Sequence, residues 1–186
     1  FTDKVDFDPG PDTYLLEDSS SFNPSFGASG TLFVLKLDDF GEFLWVKPLR
    51  GGNRELGFEI TVRDDAFFIA GALGGLGPLC PDTLDLDLGI GVTNIAGASS
   101  DSYIAKYTLN GELNWAFELE ECRIFCLQVD EQDNIIIAGS GRNSSTDFDL
   151  TNDELILPIR MKPYVAKYNS VMEVQWARSF NASRTF

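Results

Sequence analysis

The chain has 186 residues, enough for one medium or two small domains with a sizeable hydrophobic core. Its 14 Lys and Arg against 29 Asp and Glu give a net charge of -15, which disfavours nucleic acid and anionic membrane surfaces as partners. The absence of histidine disfavours Ser-His-Asp hydrolases and His-bound zinc sites, and the absence of an 18-residue apolar stretch disfavours direct membrane insertion.

The first 50 residues predict a long insert followed by two strands. The insert covers 3–30, and the strands cover 31–37 and 42–49. Both strand segments are rich in aliphatic and aromatic residues, and Asp39-Phe40-Gly41 supplies the turn between them. We therefore expect an antiparallel pair here.

The next 70 residues predict four strands, at 57–63, 66–73, 102–109 and 112–119. Each is short, β-branched or aromatic, and either alternates with period two or is continuously apolar. Asn110-Gly111 predicts a two-residue type I′ hairpin turn between the last two strands. A long insert, 74–101, separates the second strand from the third.

The last part of the chain repeats this order, with strands at 124–130, 134–141, 163–169 and 173–180. Its insert covers 142–162. Phe125-Cys-Leu-Gln-Val parallels Phe58-Glu-Ile-Thr-Val, and Ile135-Ile-Ile-Ala-Gly parallels Phe67-Phe-Ile-Ala-Gly. The two parts therefore predict the same four-stranded unit.

A lysine followed nine residues later by a tryptophan occurs once in each of the three units. The pairs are Lys36 and Trp45, Lys106 and Trp115, and Lys167 and Trp176. A constant motif with variable spacing between copies indicates one structural unit repeated with inserts of different length. We expect the tryptophans to fill the gaps between neighbouring units, and the lysines to make a repeated contact to a carboxylate or a carbonyl.

Four-stranded antiparallel units repeated without helical patterns predict an all-β fold, namely a β-propeller fragment of about two and a half blades. The expected units are 1–50, a partial blade; 51–120, the second blade; and 121–186, the third blade. A propeller needs at least four blades to cover its open edges, so we expect the chain to be part of a larger protein.

Each insert contains an Asp-x-Asp pair, and these pairs are the candidate metal ligands: Asp6, Asp8, Asp85, Asp87, Asp147 and Asp149. In an extended segment both carboxylates of a pair face the same way, which suits a hard cation such as calcium. Calcium requires six to eight oxygen ligands, however, and the sequence contains no Asp-x-Asp-x-Asp-Gly run. Carboxylates that cap turns or face solvent are the alternative interpretation.

The first insert carries four aromatic residues that are candidates for contact with a partner or a sugar ring: Phe7, Tyr14, Phe22 and Phe26. Rings exposed on a loop can stack on such ligands. The same residues could instead form a small satellite core.

Three cysteines occur, and none has the C-x-x-C spacing of a metal or redox site. They are either buried free thiols, or one disulfide joins Cys80 to Cys122. Cys122 and Cys126 would lie too far apart along an extended strand to pair.

Three segments of the first unit share a recognisable pattern: Val5-Asp-Phe-Asp-Pro-Gly-Pro-Asp-Thr13, Leu32-Phe-Val-Leu-Lys-Leu-Asp38 and Gly41-Glu-Phe-Leu-Trp-Val-Lys47. In this order they resemble the bacterial SBBP type of β-propeller repeat. Asp133-Asn-Ile-Ile-Ile-Ala-Gly139 resembles the inner turn and strand of the same repeat, and Leu84-Asp-Leu-Asp-Leu and Asp147-Phe-Asp-Leu are degenerate forms of its acidic phrase.

The resemblance implies a secreted or cell-surface protein of a Gram-negative bacterium, associated with the outer membrane and exported by type IX secretion. Asp82-Thr83-Leu84 is similar to an acceptor for bacterial O-glycosylation, with Thr83 as the glycosylation site. The family provides no catalytic signature that could be carried over to this chain.

Two functions are therefore expected from the sequence. The first is a non-catalytic platform for protein interaction or adhesion at the cell surface, as a secreted cargo or a subunit of an outer-membrane assembly, with the inserts as its contact surface. The second is carbohydrate binding or carbohydrate cleavage by insert aromatics and carboxylates, with calcium as a candidate cofactor and a glycan as partner.

Overall fold

The computed structural model describes residues 1–18, 30–51, 56–73, 82–97, 101–142, 145–151 and 153–181. These residues form strands, turns and loops and contain no helix, so the predicted all-β class is confirmed. Within these ranges no helical segment has the length and hydrophobicity that a membrane span requires.

The strands in chain order are β1 (Lys4–Asp6), β2 (Leu15–Glu17), β3 (Phe33–Leu37), β4 (Phe43–Pro48), β5 (Arg50–Gly51), β6 (Leu56–Arg63), β7 (Ala66–Ala72), β8 (Asp82–Asp85), β9 (Asn94–Gly97), β10 (Ser102–Thr108), β11 (Leu113–Leu119), β12 (Cys122–Val129), β13 (Ile135–Gly141), β14 (Thr146–Asp147), β15 (Ile156–Leu157), β16 (Pro163–Tyr168) and β17 (Val174–Ser179). The predicted strands of the three units agree with these bounds to within about two residues. The strands inside the inserts were not predicted.

Three antiparallel sheets make up the frame of the molecule. The first sheet is the β3–β4 pair, the second has the strand order β11-β10-β7-β6, and the third has the order β12-β13-β16-β17. Within the second and third sheets each strand pairs with its neighbours in chain order, apart from the inserts. The inserts form β1–β2, β5-β8-β9 and β14–β15.

The last hairpin of each sheet has the same turn and the same irregularity. Gly111 N–H donates to the carbonyl of Thr108 at 2.9 Å, and Gly111 has a φ of 77°. Only Gly111, and not Asn110, has a positive φ among these turn residues, so the predicted type I′ turn is wrong. The turn is instead a type I turn followed by a left-handed residue, a geometry that needs positive φ at one position only.

Gly41 and Met172 occupy the position of Gly111 in the other two hairpins, with φ values of 83° and 65°. Each hairpin also has a register shift between its lysine and the residue after it. Because the shift is the same in all three sheets, Lys36, Lys106 and Lys167 lie opposite Trp45, Trp115 and Trp176 in identical register.

Alternation along the strands divides the buried residues between two cores. The core between the first and second sheets contains Phe67, Ile69 and Tyr103. The core between the second and third sheets contains Phe68 and Ala70 from the next positions along β7. Successive side chains of a strand point to opposite faces, so β7 is apolar on both faces because sheets cover both of them.

The tryptophans lie on equivalent faces, as predicted, and two of them fill the spaces between sheets. The ring of Trp45 lies 6.3 Å from that of Phe67 in the second sheet. Trp115 packs against the core that the second and third sheets share. Trp176 is 37% exposed, because in the part of the chain that the structure describes no further sheet packs on its face.

The repeated lysines make structural contacts. Lys36 Nζ donates to the Leu109 carbonyl at 3.0 Å, and Lys167 Nζ donates to Asp130 Oδ2 at 2.8 Å. Lys106 Nζ instead lies 5.3 Å from the centre of the Phe68 ring. The predicted carbonyl or carboxylate contact is confirmed for two of the three lysines, whereas the third makes a cation–π contact.

Candidate functional site

The three inserts fold into short hairpins at one end of the sheets, and we call these the insert hairpins: β1–β2, β8–β9 and β14–β15. Each hairpin is followed in the chain by the strand that carries the repeated lysine, namely β3, β10 or β16. These strands start at the same end of the stacked sheets, so the three hairpins emerge together. The opposite end carries the turns at Gly41, Gly111 and Met172.

The Asp-x-Asp pairs close the insert hairpins from within. In each hairpin the first aspartate accepts hydrogen bonds through Oδ1 from the backbone N–H groups two and eight residues later. These N···O distances are 3.1 and 2.9 Å at Asp6, 3.0 and 2.8 Å at Asp85, and 3.0 and 2.8 Å at Asp147. The second aspartate accepts from the N–H group two residues on, at 2.7 Å for Asp8, 2.6 Å for Asp87 and 2.8 Å for Asp149.

This geometry favours the turn-capping interpretation of the six aspartates, and metal binding by them stays a prediction. Each pair lies in its own hairpin, and its Oδ1 atoms are already used by backbone donors, as in an Asx turn. Among the described residues no group of three or more His, Cys, Asp or Glu side chains is arranged to hold a metal ion. The turn-capping interpretation explains the contacts that the structure contains.

The residue between the two aspartates is the anchor of each hairpin. For Phe7 a satellite core was one of the two expectations, whereas Leu86 and Phe148 were not predicted as anchors. Phe7, Leu86 and Phe148 are all buried. The carbonyl groups of Leu86 and Phe148 also accept hydrogen bonds from the hydroxyls of Tyr107 and Tyr168, at 2.8 and 3.0 Å. The signal was present in the sequence as an apolar residue at a fixed place in a polar motif.

Burial of Phe7 corrects its assignment as an exposed contact residue. Its ring lies 5.1 Å from that of Phe1 and 4.6 Å from that of Phe33, so it belongs to a small satellite core. Tyr14 is exposed on the same hairpin, with its ring 4.9 Å from that of Phe43. Phe22 and Phe26 lie outside the described residues.

Exposed aliphatic side chains mark the outer surface of the insert hairpins. Ile90 and Val92 project from the turn of β8–β9, Leu15 lies on β2, and Ile156 lies on β15. Such side chains gain free energy when a partner removes them from water. The sequence offered a signal in Gly89-Ile90-Gly91-Val92, where apolar residues alternate with glycine in a turn.

Cys122 is a free, buried thiol, so the predicted Cys80–Cys122 disulfide is not formed. Its Sγ accepts a hydrogen bond from Tyr164 Oη at 3.5 Å, and burial raises the pKa of the thiol to about 12. A thiol held neutral in this way packs as a small apolar side chain. Cys80 lies outside the described residues.

Thr83, the predicted glycosylation site, lies on the exposed surface of β8. Leu84 beside it is buried, which fixes the strand against the core between the first and second sheets. Glycosylation of Thr83 stays a prediction.

An acidic cleft lies beside the third insert hairpin, with Glu118, Glu120 and Glu121 on one wall and Asp147 and Asp149 on the other. Burial raises the pKa of Glu118 to about 7, and the charges of Asp101 and Glu120 and a hydrogen bond with Asp101 act in the same direction. Asp101 Oδ1 in turn accepts from the N–H group of Glu121 at 2.8 Å. The Glu118–Asp101 carboxyl pair therefore stands where the second sheet passes into the third.

Stability should fall as the pH rises through the range in which Glu118 titrates. Its pKa is 4.5 when unperturbed and about 7 in the folded chain, so the contribution of the protonated form is complete below pH 4.5 and is lost as the pH approaches 7. The chain has no histidine that would titrate in the same range. Urea unfolding from pH 4.5 to 8 should therefore show a decline that Glu118→Gln flattens. An unchanged decline in Glu118→Gln would contradict this assignment.

Asp85→Ala should destabilise the chain by about 1–3 kcal/mol, because two backbone N–H groups beside a buried side chain lose their acceptor. Asp85→Asn keeps an oxygen at this position and should lose clearly less. Thermal unfolding of both variants, with EDTA and with added calcium, measures the difference. Two results together would instead indicate a calcium site. EDTA would lower the Tm of the unsubstituted chain, and Asp85→Asn would destabilise it as much as Asp85→Ala.

The insert hairpins thus combine capping aspartates with exposed apolar side chains. Comparison of the chain with protein-family models, with curated proteins and with solved structures finds no match in any of the three.

Proposed function

We propose that the three sheets are consecutive blades of a β-propeller of the SBBP repeat type, and that the chain is a non-catalytic platform for protein interaction. Support for the blade interpretation comes from the repeated lysine–tryptophan register and from the face-to-face packing of successive sheets. A platform of this kind holds its inserts in fixed relative positions, which lowers the entropy lost on binding.

This proposal rests on the exposed side chains of Ile90 and Val92, which lie in the turn of the β8–β9 hairpin. Asp85 and Asp87 close the hairpin, and Leu86 anchors it in the core, so the two aliphatic side chains are held out into solvent. Exposed apolar groups on an ordered, polar-rimmed turn are typical of an interaction surface. The net charge of -15 favours a partner with a basic contact surface.

The proposed setting is the surface of a Gram-negative cell, with the chain as a secreted or outer-membrane-associated component exported by type IX secretion. Protease treatment of intact cells, followed by immunoblotting, tests this setting directly. Degradation of the protein in intact cells supports surface exposure, and protection until the cells are lysed contradicts it.

The interaction surface is tested with matched variants. Cross-linking on outer-membrane preparations, followed by mass spectrometry, identifies the partner, and titration of the purified partner measures Kd. Ile90→Ser combined with Val92→Ser should weaken binding about 10-fold or more, because two buried aliphatic contacts are lost. Val171→Ser is the control, since Val171 is an equally exposed aliphatic residue in the turn at the opposite end of the sheets.

Equal binding by the double variant and the control would contradict the assignment of the surface. The carbohydrate alternative has its own outcome in a glycan array. Saturable glycan binding that Tyr14→Ala abolishes would replace the protein-interaction proposal with a sugar-binding one.

A further inference from the structure

The turn between β10 and β11 contains the only Asn-Gly pair of the chain, Asn110-Gly111. Attack of the following backbone nitrogen on the side-chain amide is the ordinary route by which an asparagine loses ammonia. Glycine has no Cβ, so its nitrogen reaches the preceding side chain with less steric hindrance than that of any other residue. Asn110 is therefore the asparagine of this sequence at which the reaction meets the least resistance.

The side chain of Asn110 is free to take part in this reaction. Asn110 is exposed to solvent in its turn. Its side-chain amide has no hydrogen-bond partner within the ranges that the structure describes, and only its backbone carbonyl is contacted. A side chain held by no partner can rotate toward the backbone nitrogen against its rotamer preference alone.

Asn169, in the corresponding turn of the third sheet, is held in place. Its Oδ1 accepts hydrogen bonds from the N–H groups of Val171 and Glu173, at 3.1 and 2.9 Å. Its Nδ2 donates to Glu173 Oε2 at 2.8 Å. Rotation of this amide would break three hydrogen bonds, so we expect Asn169 to keep its amide far longer than Asn110 does.

An ammonium group from the first sheet contacts the reacting peptide bond. Lys47 Nζ donates to the Asn110 carbonyl at 2.7 Å and to the Gly111 carbonyl at 3.4 Å. A positively charged donor on the Asn110 carbonyl stabilises the anion that forms when the Gly111 nitrogen loses its proton. The nitrogen becomes a nucleophile through this loss, so Lys47 favours the attack.

One contact opposes the attack. Gly111 N–H donates to the Thr108 carbonyl at 2.9 Å, and this hydrogen bond must open before the nitrogen can react. It is a single bond at the tip of a hairpin, and such bonds open at a much lower free energy than the whole domain. The strand pairing that begins at Tyr107 opposite Leu113 does not have to separate.

We propose that Asn110 is a site of spontaneous deamidation and that Lys47 promotes the reaction. The Gly111 nitrogen gives its proton to water and forms a bond to Cγ of Asn110. The bond between Cγ and Nδ2 breaks, and Nδ2 takes up a proton and leaves as ammonia. Water then opens the cyclic imide. Opening at Cγ gives aspartate, and opening at the backbone carbonyl carbon gives isoaspartate, in which the main chain runs through Cβ and Cγ.

Isoaspartate at this position weakens the contact between the first and second sheets. Lys36 Nζ donates to the Leu109 carbonyl at 3.0 Å, and Lys47 holds the next carbonyl along the turn. Both lysines belong to the first sheet. The methylene group that isoaspartate adds to the main chain displaces the carbonyl that Lys47 contacts, so the first sheet is held less firmly.

Peptide mapping by mass spectrometry of the full chain, incubated at neutral pH, tests the site. The peptide that contains Asn110 should gain the mass difference between an acid and an amide, mainly as isoaspartate, and fragmentation distinguishes Asn110 from Asn114 in the same peptide. The peptide that contains Asn169 should keep its mass over the same time. A gain at Asn110 no faster than at Asn169 would overturn the proposed site.

Three variants test the role of the lysine. Lys47→Met should slow the mass gain about 3-fold or more, whereas Lys47→Arg, which keeps a charged donor, should retain most of the rate. Lys4→Met is the control, because Lys4 is an exposed lysine at the opposite end of the sheets and its loss changes the net charge equally. Circular dichroism verifies that each variant folds. Equal rates in Lys47→Met and Lys4→Met would overturn the role of Lys47.

Thermal unfolding tests the effect on the sheets. The incubated chain should have a lower Tm than Asn110→Asp, which carries the same added charge without the added methylene group. Equal Tm values would overturn the predicted loosening of the first sheet. The reaction does not involve Ile90 or Val92, so failure of any of these tests leaves the proposed function standing.

Discussion

Replacing Gly139 by alanine should destabilise the chain by about 3 kcal/mol or more, which is a large part of the stability of a domain of this size. A Cβ atom at this position would overlap the carbonyl oxygen of Arg123 and would lie 3.0 Å from Tyr164 Oη. The carbonyl belongs to the neighbouring strand β12, where a register shift between Ile124 and Cys126 distorts the pairing. Backbone cannot move aside as a flexible side chain can, so the two strands would separate locally.

Gly57→Ala is the matched control, since the nearest atom to its added Cβ would be Leu32 Cδ2 at 3.7 Å, an ordinary contact. We expect it to change stability by less than about 1 kcal/mol. Urea denaturation of both variants measures the difference. Similar losses in the two would show that the close approach of β12 to Gly139 does not decide stability.

Phe148→Ala should cost about 3–5 kcal/mol, the usual range for removal of a fully buried aromatic ring. The ring packs edge-on against the ring of Tyr164, with the ring centres 4.8 Å apart. The backbone carbonyl of Phe148 accepts a hydrogen bond from the Tyr168 hydroxyl. The substitution would therefore leave a cavity in the core between the second and third sheets and release the third insert hairpin. Phe148→Leu should lose less, because it keeps most of the apolar volume.

Phe40→Ala is the control for the two Phe148 variants, because Phe40 is almost fully exposed in the turn after β3. It should shift the free energy of unfolding by no more than about 0.5 kcal/mol. Thermal and urea unfolding provide the values. If Phe148→Ala were as mild as Phe40→Ala, the central residue of the Asp-x-Asp motif would not be an anchor.

The long strands were predictable because their signals are local. Alternating apolar residues and turn residues between them placed the strand at 163–169 within one residue of the observed Pro163–Tyr168. The strands of the insert hairpins were not predictable, since two to four residues are too few to show a period of two. The hairpin turn was predicted at the correct place with the wrong type, because Asn-Gly suits more than one turn.

The role of the aspartate pairs could not be decided from their spacing. Carboxylates two residues apart suit both a cation and a turn. At Asp85 the capping role becomes visible only in the structure, where the N–H group of Thr93, eight residues away, donates to the carboxylate once the hairpin has closed. Likewise, nothing in the sequence distinguishes Glu118 from the other acidic residues. Its raised pKa depends on burial and on Asp101, which lies 17 residues earlier, just before β10.

The sequence alone determined that the chain is all-β, that one strand pattern recurs, and that a lysine and a tryptophan hold equivalent places in each copy, because propensity, period and repetition are properties of neighbouring residues. The tertiary structure decided that the aspartates cap hairpins and that Phe7 and Phe148 are anchors. Each of these depends on groups brought together from distant parts of the chain, and their distances are set only when the sheets pack on one another.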